Sequence, residues 1–182
     1  MGWYGIKADF KNVKEYAAQE LEISPEQGVL LERAYHGNTV YSLVQLKKDN
    51  SKLILVDLVR KSDDGFWLHK PLSENCGPSD YNCPERILKQ STSENIYAIE
   101  WREQCRAQRR NKAETIKTFK LLPTGIIITT EYGRKLKFMR AYNKSWSQIV
   151  CLDIEENQVY RFSYKSFKAE QLKQALEELK AA

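Results

Sequence analysis

The chain has 182 residues, enough for one domain or two small ones and for a real core without staples. Apolar residues make up 42% and Gly and Pro are few, which excludes a disordered chain, and no apolar run approaches the roughly 20 residues that span a bilayer. Net charge is +5 but unevenly placed: residues 102–144 carry 12 Lys or Arg against 3 Asp or Glu, a footprint for phosphate backbones or an acidic protein face, or else a solvated surface.

The opening MGWYGIKADFKNVKEY lacks the apolar stretch of an export signal, and four cysteines at 76, 83, 105 and 151 are expected to stay reduced. The expected setting is a soluble cytoplasmic protein. Asn12 is placed to cap a first helix over VKEYAAQELEI, where Val13, Tyr16, Ala17 and Leu21 recur near the helical period and Ser24-Pro25 ends it. The period then changes. VLLERAY, TVYSLVQL, KLILVDLVR and FWLH read as strands, separated by turns at Gly37-Asn38, Asp49-Asn50 and Asp64-Gly65. This predicts an antiparallel meander of three or four strands with the helix over one face.

LSENCGPSDYNCPERIL follows, from Leu72 to Leu88. Gly77-Pro78 makes a turn, Asp80 caps it, Cys83 serves as a small apolar plug, and Pro84 opens a short helix. Ser91 and Glu94 have the spacing of a capping box ahead of a long helix, NIYAIEWREQCRAQRRNKAE. On it Tyr97, Trp101 and Cys105 share one face, Arg102, Arg106 and Arg110 an adjacent one, and Arg109 and Lys112 extend the positive end. From Ile116 the expectation is five strands, IKTFKLL, GIIITTEY, KLKFMRAY, SQIVCLDI and VYRFSY. In KLKFMRAY, Leu136, Phe138 and Tyr142 are expected on one side, Lys137 and Met139 on the other. SFKAEQLKQALEELKAA closes the chain as an amphipathic helix with Ser166 as its cap and Phe167, Leu172, Leu176 and Leu179 as its apolar side. The fold class is therefore α+β: an antiparallel sheet covered by helices over residues 1–115, then a small curled sheet or barrel-like half with a C-terminal helix over 116–182, the two either separate or continuous.

For chemistry, Cys76 and Cys83 are too far apart for the short paired spacing of a zinc knuckle, although His69, Cys76, Cys83 and Cys105 have the right chemistry to meet in space. A thiol nucleophile needs a histidine base, and only His36 and His69 exist; His69 is the one near the loop. The acids Asp57, Asp63, Asp64, Glu74 and Asp80 show no spacing that ties them into a magnesium site, and no phosphate-binding glycine loop is present. The expectation is no enzyme, no metal and no cofactor. The remaining signal is basic residues among aromatics: Lys117, Lys120, Arg134, Lys135, Lys137, Arg140 and Lys144 beside Phe119, Tyr132, Phe138, Tyr142 and Trp146. With Arg102, Arg106, Arg109, Arg110 and Lys112 they predict a nucleic-acid or nucleoprotein surface, against the alternative that the aromatics are core and the cations merely alternate outward.

Three segments carry a resemblance: the Met1-Gly2-Trp3 start, GPSDYNCPERIL (Gly77 to Leu88) and EWREQCR (Glu100 to Arg106). They resemble a family of small proteins encoded by phages, plasmids and conjugative elements, most specifically over residues 70–110, and the chain looks like the type II-A anti-CRISPR proteins of such elements. The family has no established catalytic residues to carry over. The matched motif implies that Gly77, Pro78, Cys83, Pro84, Arg86, Trp101, Arg102 and Arg106 form one local unit. The implied partner is a type II CRISPR effector nuclease with its guide RNA, in the cytoplasm of a bacterial host. A DNA mimic in the channel that reads the PAM should be acidic, so the basic block points instead to the nuclease surface or the guide RNA, with guide loading blocked or the guide truncated. The alternative is a DNA-binding regulatory or anti-restriction protein of a mobile element.

Overall fold

A computed structural model describes residues 2–181; Met1, part of the N-terminal motif, lies outside them. The chain divides between residues 108 and 109 into two compact units. That boundary falls inside a helix, where the sequence suggested a helix-to-strand junction at 115/116.

The first unit is built on strands β1 (Tyr4–Lys7), β2 (Gly28–His36), β3 (Thr39–Leu46), β4 (Lys52–Lys61) and β5 (Phe66–Ser73). They form one antiparallel sheet in the order β1-β5-β4-β3-β2. Gly37 and Gly65 turn two of the hairpins at φ +55° and +81°, where a Cβ is disfavoured. Helix α1 (Val13–Glu20) covers one face, with Asn12 accepting from the backbone N–H groups of Lys14 and Glu15 at 3.0 and 3.1 Å. At its other end Arg33 of β2 donates to the carbonyls of Ala17, at 2.7 Å, and Leu21, satisfying groups a helix leaves open.

The opposite face is covered by α2 (Glu85–Leu88) and the start of α3 (Ile96–Phe119). Tyr41, Leu43, Ile54 and Val56 pack there on Ile87, Leu88, Trp101 and Cys105. Val40 and Val59 point the other way, onto Tyr16, Ala17 and Trp67. Strand β3 is therefore buried on both faces, which is why its alternation is faint in the sequence. Ser91 and Glu94 do not form the expected capping box. Helix α3 begins at Ile96 with Asn95 accepting from the Tyr97 N–H at 2.9 Å, and Ser91 is spent elsewhere.

The second unit starts with the remainder of α3. Ile116–Phe119, expected as a strand, is the last turn of that helix. Thr115, Thr118, Phe119 and Leu122 are the buried positions, a 3/4 spacing, and Pro123 is the first residue unable to continue it. Four strands follow: β6 (Ile127–Thr129), β7 (Lys135–Ala141), β8 (Gln148–Asp153) and β9 (Val159–Ser163), an open antiparallel sheet in the order β6-β7-β8-β9. It is a meander with two edges rather than a barrel. Helix α4 (Ala169–Ala181) closes the chain, and Ser166, expected as its cap, sits in the preceding 3-10 turn with its carbonyl accepting from Glu131 N–H at 2.9 Å. One face of the sheet, with Ile128, Leu136, Phe138, Ile149 and Cys151, packs on Phe119, Leu122, Phe167 and Leu172.

Candidate nucleic-acid interface

The motif loop is a locked structural element of the first unit. A 3-10 turn (Glu74–Cys76) ends on Gly77 at φ 59°. Beyond it the Asp80 carboxylate accepts from Tyr41 and Thr39 hydroxyls, the latter at 3.0 Å, and from the backbone and side-chain amides of Asn82 at 2.9 and 3.1 Å. Burial works against that charge, but the hydrogen bonds outweigh it and hold the Asp80 carboxyl below its ordinary range. The Trp101 indole N–H donates to the Asp80 carbonyl at 2.9 Å, tying the loop to α3. Cys83 is buried against α2 and α3, as is Pro78 in its loop, while Pro84 sits at the N-cap of α2. Arg86 pairs with Glu32 across to β2.

Glu74, in the sequence only one of several untied acids, is the partner of Arg102. It is fully buried. Its carboxylate accepts from Ile54 N–H at 2.9 Å, from the Ser91 hydroxyl, and from Arg102 Nη1 at 2.7 Å. Arg102 also donates to Ser91 Oγ and the Ser93 carbonyl, both at 2.6 Å. The partners are 28 positions apart, so no local pattern could announce them.

This rearranges the proposed arginine row. Arg102, expected on a binding face, is consumed by the buried pair with Glu74. Arg106 pairs with Glu85 at 3.2 Å and Glu103 at 2.5 Å. Arg109 is half-buried, whereas Arg110 and Lys112 are exposed, the latter with its ammonium 5.5 Å from the Tyr164 ring centroid. His69, the one base near the loop, has its Nδ1 2.5 Å from the Tyr16 hydroxyl. Cys76 is exposed while the other three cysteines are buried, and among the described residues no three His, Cys, Asp or Glu side chains gather as a metal site.

In the second unit Arg134 is also committed internally. It pairs with Asp153 and Glu156 and lies over the Tyr160 ring at 5.2 Å. The Glu156 backbone N–H, then Arg134, keep the Asp153 carboxyl below its ordinary range despite burial. Lys117 lines a groove with Leu121, Lys173 and Leu176, and Lys120 is exposed beside it in sequence. Lys135 borders a cleft shared with Gln171 and Glu178 of α4.

The uncovered face of the sheet is different. Lys137 and Arg140 of β7 stand on it exposed. Arg161 of β9 joins them, its guanidinium 4.3 Å from the centroid of the Tyr142 ring. Arg161 was not among the expected binding residues because it falls outside the basic block, although its alternation with Tyr160 and Phe162 places it outward. Phe119 and Phe138 are core, while Tyr142 is 45% exposed, so only part of the aromatic set meets solvent.

A bulge makes this arrangement. Phe138 pairs with Cys151, yet Arg140 pairs with Val150 and Ala141 with Ile149. In an unbroken strand Arg140 and Tyr142 would share the inward face of Phe138; the extra residue, Met139, puts both outside. The expectation that Tyr142 lies with Phe138 is corrected by that single insertion. Comparison with protein-family models, with curated proteins and with solved structures finds no match to this chain.

Proposed function

We propose that the protein is a non-catalytic inhibitor of a type II RNA-guided DNA nuclease, engaging the nuclease and its guide RNA inside a bacterial host rather than mimicking DNA. The observation that carries the nucleoprotein part is charge segregation. Residues 109–182 hold 15 Lys or Arg against 8 Asp or Glu, whereas residues 1–108 hold 14 against 16. With one unit at +7 and the other at −2, a polyanion is drawn to one half of the chain, and a mimic of DNA needs the opposite sign. The choice of nuclease rests on the resemblance over residues 70–110. The motif loop, with its buried Glu74–Arg102 pair and Asp80 network, holds the scaffold and leaves recognition to the basic unit.

The test is reconstitution. Nuclease, guide and target DNA are mixed with increasing amounts of the protein, and both DNA cleavage and guide length are followed on gels. Loss of cleavage that depends on the protein, with the guide either unloaded or shortened, is expected. Unchanged cleavage at molar excess across type II effectors contradicts the reading. A shift of duplex DNA without nuclease or guide, steeply weakened by salt, identifies a DNA-binding regulator instead.

A further inference from the structure

We propose that the uncovered face of the second sheet binds single-stranded RNA, with phosphates on Lys137, Arg140 and Arg161 and a base stacked on Tyr142. This rests on the reading that guide RNA is part of the target, and it names where and in what form the RNA is held.

The face is a platform in three rows read from the register. Ile127, Lys137, Leu152 and Val159 form one row across the strands, and Arg140, Val150 and Arg161 the next. Tyr142, Gln148 and Ser163 form the third, with the Tyr142 N–H donating to the Gln148 carbonyl at 2.9 Å. Neighbouring strands lie about 4.8 Å apart, so the rows present cations and apolar side chains close together on one face. Val150 is 6% exposed although it points away from the core, as expected beneath the stems of its two arginine neighbours. Ile127 and Val159 remain about half exposed, at 46% and 57%.

Those properties select the ligand. Separate cations match a phosphate backbone, and with the Arg161 guanidinium over one side of the Tyr142 ring the proposal assigns the other side to a base. The exposed aliphatic row of Ile127 and Val159 suits unstacked bases, which a duplex keeps inside its helix. Gln148, beside Tyr142, carries both a donor and an acceptor for a ribose 2′-hydroxyl, and the Ser163 hydroxyl, whose oxygen accepts from Lys165 N–H at 3.3 Å, still has its proton to donate, which favours RNA over DNA. The bulge at Met139 is the device that brings Arg140 and Tyr142 to this face together. A strand that served only the core would gain nothing from exposing both.

The experiment measures fluorescence anisotropy of the full chain with a labelled oligouridine, the matching single-stranded DNA and an RNA hairpin duplex. Single-stranded RNA is expected to bind tightest. With three cations on phosphates, affinity should fall about 20-fold between 50 and 200 mM salt, and Arg161→Gln should flatten the logarithmic salt slope by about 0.7. Tyr142→Ala should weaken binding roughly 5- to 150-fold with the salt slope unchanged, and Tyr142→Phe should restore it. Circular dichroism of each variant confirms folding. Preference for the duplex or for DNA, or a Tyr142→Ala and a Lys137→Glu/Arg140→Glu variant that bind like the parent, overturns the proposal. Nuclease inhibition measured in parallel separates the two ideas. Inhibition without RNA binding removes this site and leaves the inhibitor reading standing, whereas RNA binding without inhibition does the reverse.

Discussion

Replacing Arg102 by alanine should cost about 3–5 kcal/mol of the first unit's stability, the usual penalty for stranding a buried charge. Glu74 is fully buried and the Arg102 side chain is only 11% exposed, so water cannot replace the lost guanidinium. Arg102→Ala also removes the donors to Ser91 Oγ and the Ser93 carbonyl. Against a typical total of 5–15 kcal/mol, that loss is a large share. With a urea m value of about 2 kcal/mol per molar, the midpoint should fall by roughly 2 M. Trp3, Trp67 and Trp101 lie in the first unit and Trp146 in the second, so tryptophan fluorescence is best followed with Trp146→Phe as background. The double variant Glu74→Leu/Arg102→Met should recover most of the loss, because a buried pair is often replaceable by apolar residues of similar volume. An Arg102→Ala cost below about 1 kcal/mol, no larger than that of exposed Arg110→Ala, refutes the reasoning, as does a coupling near zero between positions 74 and 102.

The Asp57 carboxyl, on the α1 side of the sheet, is pushed up to about 6 by burial, with Arg33 pulling the other way. Its folded pKa lies above the unfolded one, so its proton-linked stability is full below about pH 4 and lost as pH rises through 6, about 3 kcal/mol in all. Asp57→Asn should flatten that slope in urea titrations across pH 4–7; an unchanged profile contradicts it. Asp80 has the opposite sign: its depressed pKa contributes stability above about pH 4 that disappears on acidification, and Asp80→Asn should abolish that part. In a thiol-reagent assay Cys76 should react in the native protein, while Cys83, Cys105 and Cys151 wait for unfolding. Burial raises the Cys151 thiol to about 12, so reaction of all four at one rate contradicts this packing.

Local signals carried much of the fold. The Asn12 cap, the turns at Gly37-Asn38, Asp49-Asn50 and Asp64-Gly65, and the short helix after Pro84 all lie where dihedral preference and capping chemistry place them. What escaped depends on distant partners. Strand β1 is four residues of mixed character whose identity comes from pairing Tyr4 with His69 and Lys7 with Phe66. The last turn of α3 looks like a strand in the sequence because Ile116, Phe119 and Leu121 do not distinguish the two periods, and burial of Thr115 and Thr118 decides for the helix. The candidate site was legible as charge but not as geometry. Arg102, Arg106 and Arg134 each pair with acids from other elements, partners that no local pattern announces. Arg140 and Tyr142 came to one face through a bulge that one residue of register creates.

The basic face is tested most directly by nuclease inhibition with the parent chain beside a Lys137→Glu/Arg140→Glu/Arg161→Glu variant, assayed with the same effector, guide and target. The parent is expected to abolish cleavage and the variant, folded by circular dichroism, to leave it intact. Equal inhibition by both, or none by the parent, contradicts that expectation.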